Sequence, residues 1–182
     1  MTPALKQKLV SLLSDHEGRI PWMYPDSNGN VTVGVGHLLP SALSAMNLGF
    51  PFWINRRKAT AQEICSAWAY VRHTSTPFKT LTLAEPDIDA LLGQDLERFE
   101  PIVAATFPNI VLPESAEIAV WDMVFNLGSF AKFPKFVAAV RAGDWAAAAA
   151  ESKRRDIGVS RNRDTAQAFL ALLPREDSVI EA

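Results

Sequence analysis

Leu5, Leu9, Leu12, Leu13 and His16 return at intervals of three and four residues, the period of one helix face. They predict an amphipathic first helix with these side chains as its buried stripe. Thr2 suits its cap and Pro3 its first turn. Gly18 stops it, and Pro21 prevents its resumption. The period then changes. Ser27-Asn28-Gly29-Asn30 is a turn signal, because Asn and Gly tolerate positive φ. Behind it Val31-Thr32-Val33 alternates as a strand does, with Thr32 pointing opposite to its neighbours. A small antiparallel sheet is expected from Trp22 to His37. Pro40 to Leu48 reads as a short helix closed by Gly49, Phe50-Pro51-Phe52-Trp53 as an apolar loop under the sheet, and Arg56-Arg57-Lys58 as a solvated turn.

Helical periods dominate from there on. Thr60-Ala61-Gln62-Glu63 is a capping box that starts a helix to about His73. Pro77 breaks it, and Thr82-Leu83-Ala84-Glu85 is a second box, opening a longer helix to about Phe99 that Pro101 should end or kink. A segment starting at Pro113 is apolar on nearly every side through Ile118, Val120, Trp121, Val124 and Phe125, as the central helix of a core is. Gly128 stops it. Further helices are expected over Phe133 to Ala142, Trp145 to about Arg155 with Asp144 as cap, and Arg161 to Leu173. Arg175 to Ala182 reads as a frayed tail. The fold class is therefore α+β and mainly helical. One domain is expected, with a small sheet-bearing lobe over about 18–82, a connecting helix over about 83–100, and a helical lobe built from about 1–16 and 101–174.

Composition narrows the function. The 182 residues suit a single domain, and the formal charge of −2 argues against general nucleic-acid binding. No apolar run is long enough to span a bilayer. Lys6 and Lys8 interrupt the N-terminal stripe, so it lacks the apolar core of a signal peptide. Synthesis in the cytoplasm without its own secretion signal is expected, and so is a monomer. The single cysteine, Cys65, excludes an internal disulfide and reads as a small buried hydrophobe.

The chemistry concentrates between His16 and His37. Glu17 falls at the end of the first helix, where the helix dipole disfavours negative charge, a placement that suits an acid with a proton to deliver. Asp26 follows nine positions on and Thr32 six beyond that, with Gly34-Val35-Gly36-His37 closing the segment. Two carboxylates and a hydroxyl on a helix end and a hairpin are the equipment of a glycosidase. Asp26 taken alone is as readily a turn residue. His16, His37 and His73 are too scattered to hold a metal, and neither metal nor cofactor is expected.

These residues and spacings resemble the phage-type lysozymes used as endolysins, glycoside hydrolase family twenty-four. The resemblance implies a lysozyme-like fold and a muramidase that cleaves the β-1,4 bond between N-acetylmuramic acid and N-acetylglucosamine in peptidoglycan, with inversion. It assigns catalysis to Glu17, Asp26 and Thr32, and a groove lining to Leu38, Phe125, Asn126 and Phe133. It also implies that His37 pairs with Asp95 and that Arg163 supports the acid, although Arg161 stands close enough to substitute. The basic set Arg154, Arg155, Arg161 and Arg163 would locally attract the anionic wall polymer. A lytic transglycosylase would need no Asp26 and Thr32 around a water. A chitinase would share the architecture. An inactive wall-binding module would have no need for all three residues together. As an endolysin the chain would depend on a holin for release. As a secreted antibacterial effector it would meet an immunity protein.

Overall fold

The computed structural model describes residues 1–155 and 157–174; the tail expected over 175–182 lies outside them. Two compact units result, one containing Val10–Leu96 and the other Met1–Leu9 with the chain from Glu97. The unit boundaries fall inside the first and fourth helices.

Helix α1 covers Pro3–Glu17. The Thr2 hydroxyl accepts from the Leu5 amide at 3.3 Å, and Leu5, Leu9 and Leu13 are buried. Gly18, at φ +77°, ends the helix in a conformation that a side chain would strain. A six-stranded sheet then builds the unit Val10–Leu96. Its strands are β1 (Ile20–Pro25), β2 (Val31–Gly34), β3 (His37–Leu38), β4 (Trp53–Ile54), β5 (Arg57–Lys58) and β6 (Phe78–Thr82), in the spatial order β3-β2-β1-β6-β4-β5. Helix α2 (Ala42–Met46) starts at a Ser41–Ser44 capping box. Helix α3 (Ala61–Thr74) starts at the Thr60–Glu63 box, with both halves made. Ile64, Ala67 and Val71 of α3 are buried, and the helix contacts β1, β2 and β6.

Pairing in the sheet changes two expectations, and helix geometry a third. The apolar run at Phe50 to Trp53 is not only a loop: Phe52 is buried, and Trp53 enters β4. Asn55 and Arg56, at φ +49° and +64°, turn that strand into β5 as a primed hairpin turn requires. Residues 78–82 form β6, so Thr82 is a strand residue and not a helix cap. Cys65 is exposed rather than buried, because it sits one position round the helix from the Ile64–Ala67–Val71 stripe.

Helix α4 runs over Glu85–Thr106 and continues through Pro101, which neither ends it nor removes more than one of its hydrogen bonds. In the second unit α5 (Glu114–Leu127) buries Ala116 and the run Ala119 to Val124, and stops at Gly128 in the left-handed region. Then come α6 (Pro134–Ala142), α7 (Trp145–Glu151, shorter than expected) and α8 (Val159–Leu170). Asp144 caps α7 by accepting from the Ala147 amide at 2.9 Å. Phe107, Phe130, Phe136, Phe169 and Trp145 form a chain of ring contacts that gives this unit its aromatic core.

Candidate active site

Glu17 is the last residue of α1 and is half-buried. Its carboxyl packs against Gly36: a Cβ placed on that glycine would sit 3.4 Å from Oε2, and Gly36 has φ +69°. A side chain there would be strained by its backbone and would touch the carboxyl.

Asp26 organises the β1–β2 loop. One oxygen accepts from the amides of Asn28 and Asn30, both at 2.8 Å, and the other from the Asn30 side-chain amide at 3.1 Å. The Asp26 amide donates to the Asn30 carbonyl at 2.8 Å, and that of Gly29 to the Asp26 carbonyl at 3.0 Å. The turn role that its residue type suggested is real, and it holds the carboxylate in one orientation. Arg72 of α3 anchors the same loop by donating to the Gly29 carbonyl at 2.8 Å.

Thr32 is buried in β2, directly paired with Tyr24 on one side and Leu38 on the other. Its hydroxyl makes only a long 3.4 Å contact to the Asn30 carbonyl. Leu38 is 48% exposed, which leaves it free to line a binding surface. His37 Nδ1 lies 3.0 Å and 2.8 Å from the two Asp95 carboxylate oxygens. Asp95 is buried on α4, so this contact joins β3 to the helix.

Tyr24 is the residue that sequence reasoning passed over. Burial pushes its phenol up to about 12, the negative charges of Glu17 and then Asp26 push the same way, and the Gly36 backbone opposes them. The phenol therefore lies within electrostatic reach of both carboxylates. Its position two residues before Asp26 on an alternating strand was the available signal.

The other predicted residues belong to the unit of Met1–Leu9 and the chain from Glu97. Phe125 is half-buried and meets Phe99 edge to face at 5.8 Å. Asn126 accepts from Arg154 at 3.4 Å. Phe133 is half-buried and precedes α6. Arg163 is exposed beside Asp164 at 3.7 Å. The basic set does not stand as one surface. Arg154 and Arg161 are buried, and both pair with Asp122 at 2.8 Å. Burial would push the Asp122 carboxyl up, but the hydrogen bonds and charges of Arg161 and Arg154 outweigh it and hold the carboxyl below its ordinary value. A cavity of about 240 Å³ in this unit, lined in part by Val103, Phe107 and Trp121, contains none of the predicted residues.

Helices joined to one small antiparallel sheet, with an acid closing the first helix and a second carboxylate ordering the adjoining hairpin, have the build of a lysozyme. The family model of phage lysozyme matches residues 14–157, most of the chain, and the chain belongs to that family. Among solved structures it is similar to a mutant of P22 lysozyme, with a TM-score of 0.55 and 18% identity over 93% of this chain and 97% of that one. This likeness speaks for the fold. No curated protein matches the chain in sequence. Family membership makes it a peptidoglycan hydrolase, a glycosidase acting on the cell wall. No helix among the described residues is long and apolar enough to cross a membrane.

Proposed function

We propose that the chain is a muramidase, cleaving the β-1,4 bond between N-acetylmuramic acid and N-acetylglucosamine by a single displacement with inversion. Glu17 gives its proton to the leaving O4 of N-acetylglucosamine as the bond to C1 breaks. A water held by Asp26 and the Thr32 hydroxyl attacks C1 from the opposite face and passes its proton to Asp26. The two carboxylates return to their starting protonation by exchange with solvent before the next turnover. One observation supports the reading: Tyr24, which pairs directly with Thr32, stands two residues before the carboxylate that Asn28 and Asn30 hold in place, and the charges of Glu17 and Asp26 both act on its phenol.

Glu17→Gln keeps the shape and loses the proton. It should cut the release of reducing ends from purified walls by roughly 10²–10⁴-fold with melting unchanged. Full activity in a folded Glu17→Gln protein would overturn the assignment. Proton NMR of a fresh wild-type digest should show the α-anomer first. An initial β-anomer would make Asp26 a nucleophile and remove the role given to Thr32. Biologically the reading is lysis of the bacterial wall, and a holin gene beside this one is the expected neighbour; an immunity gene there would mark an effector instead.

A further inference from the structure

Strands β1, β6, β4 and β5 bring one residue each into a single row. Trp22 pairs with Thr82, Thr82 also pairs with Trp53, and Trp53 pairs with Lys58. Directly paired residues of antiparallel strands project from the same face. Their neighbours Met23, Leu81 and Phe52 are buried and so point to the opposite face, where α3 packs. Trp22, Thr82 and Trp53 are half-buried, and Lys58 is exposed. Their backbones stand two strand spacings apart, about 9.5 Å.

The row continues the candidate active site. The pairing of β1 slips on both of its sides, but buried Met23 lies between Trp22 and Tyr24 and leaves those two on one face. Tyr24 leads to Thr32 and Thr32 to Leu38. One sheet face therefore reads Leu38, Thr32, Tyr24, then Trp22, Thr82, Trp53, Lys58.

We propose that this face is a saccharide platform, on which Trp22 and Trp53 stack against a β-1,4-linked amino-sugar strand that extends beyond Asp26 and Thr32. The claim rests on the muramidase reading above. The C–H face of a pyranose is apolar and matches an indole face. The spacing of the two strands that carry them is close to one disaccharide of an extended β-1,4 chain, which allows both residues to be used by one glycan strand. Continuity along β1 with Asp26 favours the substrate polymer over an unrelated protein as occupant. Charge agrees: the Lys79 ammonium lies 5.4 Å from the centre of the Trp22 ring, and Lys58 ends the row. Both suit the carboxylates of an anionic wall polymer. The Lys79 contact is weak because it is exposed, so an arriving sugar can displace it.

The test uses the full chain carrying Glu17→Gln, so that bound polymer stays intact, and soluble glycan strands prepared from bacterial walls. Affinity is read by tryptophan fluorescence and by calorimetry. Adding Trp53→Leu, which keeps apolar bulk but removes the ring face, should weaken binding about tenfold. Trp53→Phe should restore most of the affinity. Melting curves establish that each variant is folded. Equal affinity with and without Trp53→Leu would overturn the platform and leave the muramidase reading intact, because that reading stands on wall cleavage by the wild type. A wild type that cleaves no wall would overturn the muramidase reading; Trp53-dependent glycan binding would then still support the platform, and absence of glycan binding would overturn it too.

Discussion

Tyr24 and Thr32 face each other directly across the β1–β2 ladder, which places a phenol beside the two carboxylates of the candidate active site. The phenol is pushed up to about 12, by burial first and the charges of Glu17 and Asp26 next. Removing one of those charges should lower it. Absorbance titration in a Tyr70→Phe background, which leaves Tyr24 as the one tyrosine of the chain, should show a step near about 12 that moves down in Glu17→Gln. The sign for stability follows. A raised folded value means stabilisation that is present below the unfolded tyrosine value of about 10 and is lost as pH rises through the folded one. Tyr24→Phe should remove that alkaline loss. A titration step indifferent to Glu17→Gln would contradict the proximity.

Gly36 lies against the acid. Gly36→Ala would force an L side chain into φ +69° and place its Cβ 3.4 Å from Glu17 Oε2. The backbone strain should cost about 1–3 kcal/mol. Wall cleavage should fall by roughly tenfold or more, because small displacements of a reacting group are costly. Gly49→Ala is the control: it has φ +85°, and nothing lies within 4 Å of its added Cβ. It should lower the melting temperature without a matching loss of cleavage. Equal effects of the two on kcat would show that Gly36 acts through stability alone.

Asp122 neutralises two buried guanidiniums, and the Thr165 hydroxyl also donates to it at 3.3 Å. Asp122→Ala leaves both cations without that carboxylate in the core, and a loss of about 3–5 kcal/mol is expected. Because the folded carboxyl is held below its ordinary value, its stabilisation is present above the unfolded Asp value of about 3.9 and disappears as pH falls through the folded one. Denaturant unfolding at neutral and acid pH measures both. A variant as stable as the parent would mean that the network contributes nothing.

The α3 capping box makes an acid-sensitive contact of a different kind, at the surface. Hydrogen bonding from Arg57, followed by the Thr60 amide, lowers Glu63 to about 2. Its stabilisation is present above the unfolded Glu value of about 4.3 and lost as pH falls through about 2. Glu63→Gln should melt below wild type at neutral pH, and the gap should close on acidification across that window. Parallel melting curves down to about pH 2 would argue against the shift.

The sequence by itself carried what depends on neighbours in the chain. The Thr60–Glu63 cap, the glycine stops at 18 and 128, and the Asn28-Gly29 turn each need only a few adjacent residues, so their chemistry is visible as text, whereas the short helix expected to close at Gly49 ends earlier, at Met46 with Asn47 as its cap. The same holds for the α+β class and for the spacing of Glu17, Asp26 and Thr32, which led to the family. Tertiary structure decided what depends on pairing between distant segments. Residues 78–82 became a strand because β1 and β4 offered edges on either side. Pro101 stayed within a helix whose buried side chains, Leu92, Leu96 and Phe99 among them, outweigh one missing hydrogen bond. Arg154 and Arg161 read as a surface charge cluster, yet they are buried because Asp122, more than thirty residues away, supplies the carboxylate between them. Tyr24 and the row from Trp22 to Lys58 exist only through strand register, because composition and spacing say nothing about which residue lies across from which.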